Sequence, residues 1–226
     1  MGNFSFSHAK PNGSAIRDSL FGAMDLDRWL RHAPAERFPW SAFAAARESI
    51  RNGDPMRAAE HLRGIVNVEN LETRHHLQAW HILRQLGQGP PAESAKEILG
   101  IVVEMGMEKG TDLLAGYADH RARYFNYSGS AIIWEHPNAT LDLPIESLLR
   151  EGLQLVNRLG SPCEKLPPEI NAKCTRISFI TSGGIYFGEG PTAAFSQDPF
   201  SRKLLGQATV LLQLLVNASR GARPAH

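Results

Sequence analysis

The segment from Ala122 to Glu135, ARYFNYSGSAIIWE, reads as a β-hairpin and constrains the fold more than any other stretch of the chain. Aromatic and β-branched residues flank Ser128-Gly129-Ser130, and glycine supplies the positive φ that a tight hairpin turn needs. With either Ser128-Gly129 or Gly129-Ser130 at the centre of the turn, the side chains fall into the same two sets. Arg121, Arg123, Phe125, Tyr127, Ile132 and Trp134 share one face. Ala122, Tyr124, Asn126, Ala131, Ile133 and Glu135 share the other. Both sets carry large apolar groups, so the hairpin is expected to be covered on one side and partly on the other.

The elements around it extend the pattern. Gly100 to Glu108 reads as a strand, and a turn at Lys109-Gly110 leads into a second strand at Asp112 to Tyr117. Ala118-Asp119-His120 turns into the hairpin, and His136-Pro137-Asn138 ends the meander. Pro144 to Leu159 is a helix, with Ile145, Leu148, Gly152, Leu155 and Leu159 on its buried stripe. A second hairpin, Cys174 to Glu189, folds about Ser182-Gly183-Gly184. Asp198-Pro199 opens a last helix that reaches about Asn217. It is apolar on most of its circumference, which predicts deep packing or a subunit interface. Strands joined by hairpins are antiparallel. The fold class is therefore α+β, with an N-terminal helical segment followed by an antiparallel sheet of two hairpins in a meander, packed by two helices.

The first half of the chain has helical spacing. Asp25 to His32 suits a short helix. Trp40 to Asn52 places Phe43, Ala46 and Ile50 at helical intervals, and Asp54-Pro55 supplies the cap and first residue of another helix. A further helix covers Leu71 to Leu86, and Pro91-Ala92-Glu93 can start one more. The spacing NGDPMRAAEHL followed by LQAWHILRQLGQGPPAESAKEIL resembles tetratricopeptide-type helix pairs over residues 43–99. That resemblance implies a helical scaffold that binds another protein. Residues 1–20, rich in Gly, Ser and Asn without periodicity, read as a flexible leader. The divisions expected are thus 1–20, a helical segment at 21–99 and an antiparallel α+β domain at 100–226.

Composition narrows the function classes. Of 226 residues, 42% are hydrophobic and 21% charged, enough for a core and too apolar for disorder. The formal net charge is +1, and neither half of the chain is basic, so nucleic acid is not expected as a partner. The longest dense apolar run, ATVLLQLLV, is too short to span a bilayer, and the N-terminus lacks the apolar stretch of a signal peptide. A cytoplasmic protein with reduced Cys163 and Cys174 is expected.

Sites of chemistry are sparse in the sequence. TSGGIYFGEGP continues into strand-like residues where a phosphate loop would open a helix, so it reads as a hairpin turn. His75, His76 and His81 lack the i, i+4 spacing of helical metal ligands; His75 and His81 lie about 600° apart around a helix. No cofactor and no metal is expected, and no catalytic residue is assigned. The candidate binding residues are Asp119, His120, Arg121, Arg123, Tyr127 and Trp134. Arg, Tyr and Trp concentrate in binding hot spots, and the face parity lets Arg123 stack on Trp134. Together these features predict a non-catalytic protein-interaction or accessory protein. Its partner is another protein, with a homodimer through the last helix as one form. The alternative is an enzyme or small-molecule sensor with a pocket between the sheet and the N-terminal helices.

Overall fold

The computed structural model describes residues 13–221 apart from 32, 35, 164 and 166; residues 1–12 of the expected leader lie outside the described residues. From Gly13 the chain is helical. The first compact unit runs to Glu97 and also takes in Ser182–Gly184. Its helices are α1 (Gly13–Phe21), α2 (Leu26–Leu30), α3 (Trp40–Arg51), α4 (Pro55–Val66) and α5 (Thr73–Gln85). The segment Gly13–Phe21, assigned by composition to the leader, thus forms α1, and Leu20 and Phe21 are buried.

Local chemistry starts and stops these helices. Asp25 Oδ1 accepts from Asp27 N and Arg28 N to cap α2. Asp54 Oδ1 accepts from Arg57 N at 3.0 Å, and Pro55 takes the first helical position of α4. Small residues set how closely the helices pack. Ala46 of α3, Ala58 and Ala59 of α4, and Ala79 of α5 are fully buried beside Phe43, Leu62 and Ile65. Trp29, Trp40 and His75 close one side of this core, with Trp40 and His75 ring centroids 4.9 Å apart at a near-perpendicular angle. The helix expected from Pro91 does not form; residues 92–96 are turns. The strand that follows begins at Ile98, paired with Thr181, and leaves too few residues to nucleate a helix.

The second unit is a six-stranded antiparallel sheet with helices packed on it. The strands are β1 (Ile98–Met107), β2 (Gly110–Tyr117), β3 (Ala122–Phe125), β4 (Ala131–Trp134), β5 (Cys174–Thr181) and β6 (Gly184–Pro191). Their spatial order is β4-β3-β2-β1-β5-β6. The expected meander is β1 to β4. A 3-10 turn at Ala139–Leu141 leads into α6 (Asp142–Val156); α7 (Thr192–Gln197) and α8 (Pro199–Gly221) follow β6. Asp198 Oδ2 accepts from Ser201 N at 2.7 Å at the start of α8, which holds the carboxyl below the usual carboxylate range. The short α7 is not legible in the sequence; its end falls at Asp198, whose backbone is extended as a residue before proline prefers. With its helices, hairpins and packing helices in this order, the chain is α+β.

One face of the sheet carries the apolar core. Ile101, Val103, Leu114, Ala122, Trp134, Ile177 and Phe179 pack with Ile145 and Leu148 of α6 and with Leu204, Leu211 and Leu215 of α8. α6 lies so close to β1 that a Cβ on Gly152 would overlap Ile101 Cδ1. α8 buries one stripe, Leu204, Ala208, Leu211 and Leu215, while Leu205 and Leu212 are half-buried and Val210 is exposed. Among the described residues no helix is long and apolar enough to cross a membrane.

The first hairpin departs from both expected registers. Ala122 pairs with Trp134, Arg123 with Ile133, Tyr124 with Ile132 and Phe125 with Ala131. Asn126 N donates to Ser130 O at 2.9 Å, so the loop holds three residues, Tyr127-Ser128-Gly129. Asn126 Oδ1 organises it, accepting from Ser128 N, Ser128 Oγ and Ser130 N. Gly129 takes φ +91°, where a side chain would be strained. The odd loop length reverses the relative parity of the strands. Ala122, Tyr124, Ile132 and Trp134 form the face that meets the core, and Arg123, Phe125, Ala131 and Ile133 form the other.

Candidate functional site

Arg123 and Trp134, expected to stack, therefore lie on opposite faces. Trp134 is buried in the core, whereas Arg123 Nη2 donates to Glu135 Oε1 at 3.1 Å. Arg121 Nε donates to Glu135 Oε2 at 3.0 Å and Arg121 Nη1 to Asp119 Oδ2 at 3.0 Å. Asp119 Oδ1 also accepts from Arg121 N, which holds the turn just before β3 in place. The structure thus gathers Asp119, Arg121 and Arg123 around Glu135 in an alternating charge network. Tyr127 stands at the loop end of the hairpin, half-exposed, with its N–H donating to Asp112 Oδ1 at 2.8 Å. Asp112 Oδ2 accepts from Tyr124 Oη at 2.7 Å; burial and then this bond push the Tyr124 phenol up.

His120 enters a second cluster that spacing alone does not reveal. Continued two residues past Ala122 and Trp134, the hairpin register opposes His120 to His136. Their rings lie 5.4 Å apart, and their backbones share the left-handed region, at φ +60° and +55°. For a non-glycine residue that conformation costs roughly 1–3 kcal/mol and persists where the surroundings over-determine it. Asp142 and Glu146, one turn apart at the start of α6, present carboxylates to the two rings. His136 Nε2 is 3.0 Å from Asp142 Oδ1, and His120 Nε2 is 3.1 Å from Glu146 Oε1. His120 Nδ1 lies 4.0 Å from Asp142 Oδ2. One donor atom from each of His120, His136 and Asp142 falls within 4.8 Å of the others. Two imidazoles and a carboxylate are a donor set for zinc-class cations. His136, Asp142 and Glu146 are missed by sequence reasoning because a ladder register and a helix start bring them to His120.

The helical unit holds a separate recess. A groove of about 440 Å³ is lined by Met24 to Asp27 before and within α2, by Arg47, Ile50 and Arg51 of α3, and by His81 and Gln85 of α5. Asp27 Oδ1 accepts from Arg47 Nη1 at 3.2 Å and Arg51 Nη2 at 2.8 Å, which fixes both guanidinium groups on its wall. Burial, and then the Arg84 charge, lower the pKa of His81. With its imidazole neutral, His81 Nε2 accepts from Gln85 Nε2 at 3.1 Å. His76, by contrast, uses Nε2 on Val68 O. No family model matches the chain, and no curated protein or solved structure matches it.

Proposed function

We propose that the protein is a non-catalytic interaction or accessory protein of the cytoplasm, whose helical unit holds a segment of another protein. The observation that carries this reading is the groove between α3 and α5. α3 and α4 form one helix pair, α5 packs with them without a second helix of its own among the described residues, and the fully buried Ala46 and Ala79 lie 33 residues apart at the centres of α3 and α5. The spacing supports the resemblance to tetratricopeptide-type pairs and the scaffold role it implies. The groove joins an apolar strip at Met24, Leu26 and Ile50 to the polar groups of Arg47, Arg51 and Gln85. Such a lining suits a peptide that buries apolar side chains and pairs its carbonyls or carboxylates with guanidinium groups. Ile50 is partly exposed on α3, so Ile50→Asp alters the groove without opening the core.

Affinity purification of the tagged full chain, with mass spectrometry of bound proteins and metabolites, tests the reading. Partners recovered with the parent and lost with Ile50→Asp at unchanged melting temperature are expected. A metabolite in place of a protein, or a partner indifferent to Ile50→Asp, would overturn it. A second reading, self-association, is favoured by Leu143 and Leu153 of α6 and Val210 of α8, exposed at 74%, 47% and 44%. A sedimentation coefficient that stays at the monomer value across concentrations would exclude it.

A further inference from the structure

We propose that His120, His136 and Asp142 bind a divalent transition-metal ion of the zinc class. This site is independent of the helical groove. The three donors come from the β2–β3 turn, the exit of β4 and the first residue of α6, and all belong to the sheet unit. Their donor atoms lie within 4.8 Å of one another. Zinc–nitrogen and zinc–oxygen bonds of about 2.0–2.2 Å place ligand atoms of a tetrahedral ion roughly 3.4 Å apart. His136 Nε2 lies 3.0 Å from Asp142 Oδ1 and His120 Nδ1 lies 4.0 Å from the other oxygen, Oδ2, so rotation of the carboxylate and rings is what brings one donor of each to that spacing. Small side-chain rotations therefore suffice to admit an ion.

The surroundings supply what an imidazole ligand needs beyond its donor atom. His120 Nε2, 3.1 Å from Glu146 Oε1, donates its proton there and leaves the Nδ1 lone pair facing Asp142. A carboxylate behind a histidine in this way fixes the tautomer and raises ligand basicity. At His136 the metal takes the place of the proton between Nε2 and Asp142; the imidazole keeps one proton on Nδ1, and any other passes to solvent. Arg121 bonds Asp119 and Glu135, and Arg123 bonds Glu135. The left-handed backbones of both histidines aim the rings at the helix start. Three protein ligands leave a fourth position for water or an incoming oxygen or nitrogen ligand.

The test uses the full chain, purified without a polyhistidine tag and stripped of metal. Titration with Zn²⁺ against a chromogenic chelator is expected to show one saturable equivalent, and Co²⁺ is expected to give the visible absorption of a tetrahedral site. His120→Asn and His136→Asn remove the imidazoles, and asparagine tolerates the left-handed backbone. Each is expected to lower Zn²⁺ affinity by at least the roughly 10–100-fold that loss of an outer partner alone produces. His61→Ala with His76→Ala is expected to leave the equivalent intact. If the asparagine variants do not fold, diethyl pyrocarbonate labelling of the parent decides. Zn²⁺ is then expected to protect His120 and His136 while His61 stays reactive. Absence of a saturable equivalent, undiminished binding by both folded variants, or labelling of His120 and His136 unaffected by Zn²⁺ would each overturn the proposal.

Discussion

On one face of the sheet, Ile101, Val103, Ile177 and Phe179 meet α6 and α8 through apolar contact alone. One residue along each strand, on the other face, β1 and β5 bring Glu104 opposite Arg176 in the ladder. Both side chains are almost completely buried, and Arg176 Nη1 donates to Glu104 Oε2 at 3.0 Å. Arg176 Nε and Nη2 also donate to Glu189 Oε2, and Phe187 lies 5.6 Å from the guanidinium carbon. The first face is held by shape, where the cost of damage scales with lost volume. The second is held in part by charge, where the cost depends on whether the remaining partner stays buried without its counter-ion.

Removal of a charge partner is the most direct way to break this contrast. Glu104→Ala leaves Arg176 buried with only the more exposed Glu189, and should cost about 3–5 kcal/mol in urea unfolding. A loss below about 1 kcal/mol would show that Glu189 satisfies Arg176 by itself. On the apolar face, Leu211→Ala should cost about 2–5 kcal/mol, because Leu211 is fully buried and its neighbours refill the space only in part. Gly152→Ala probes the same face in the opposite sense. The added methyl meets Ile101, with Ile98 and Phe179 close behind, and should cost about 1–3 kcal/mol through overpacking. A neutral result would mean that α6 can lift from β1. The smallest effect is expected at Ser178, whose buried Oγ has no hydrogen-bond partner. Ser178→Ala should leave stability within about 0.5 kcal/mol or raise it slightly, since no bond is lost and a hydroxyl need no longer be desolvated. A loss above about 1 kcal/mol would place an internal water at this hydroxyl.

The parts of the fold legible in the sequence are those written in local chemistry. Asp54-Pro55 and Asp198-Pro199 mark helix starts and Ser182-Gly183 marks a strand reversal; the first reversal falls at Glu108-Lys109, one residue before the expected Lys109-Gly110, with Gly110 opening β2. α1 is not legible because its sequence, GSAIRDSLF, is polar enough to pass for a leader, and its burial depends on residues far along the chain. The first hairpin shows a finer limit. Its strands and its turn are evident from composition, yet its face assignment rests on one residue of loop length. The Asn126 side chain settles that length through bonds that pattern alone does not announce. At the candidate site, Asp119, His120, Arg121 and Arg123 are nominated by type and meet near one end of β3. Trp134 and Tyr127 are separated from them, one by parity and the other by position along the strand. The partners of His120 are reached through register and the placement of α6, so no spacing rule finds them.

The three-residue loop sets how the hairpin tolerates changes in length. Deleting one residue from Tyr127-Ser128-Gly129 would leave β4 able to keep Trp134 in the core only if β3 turned over. Arg123 would then face α8 and its apolar stripe, and Ala122 would face outward. Deleting or inserting two residues preserves the parity and shifts only which residues oppose one another. Length variation at this tip is therefore filtered by whether it is odd or even, because odd changes drive a guanidinium into the apolar layer, away from the Glu135 carboxylate it bonds.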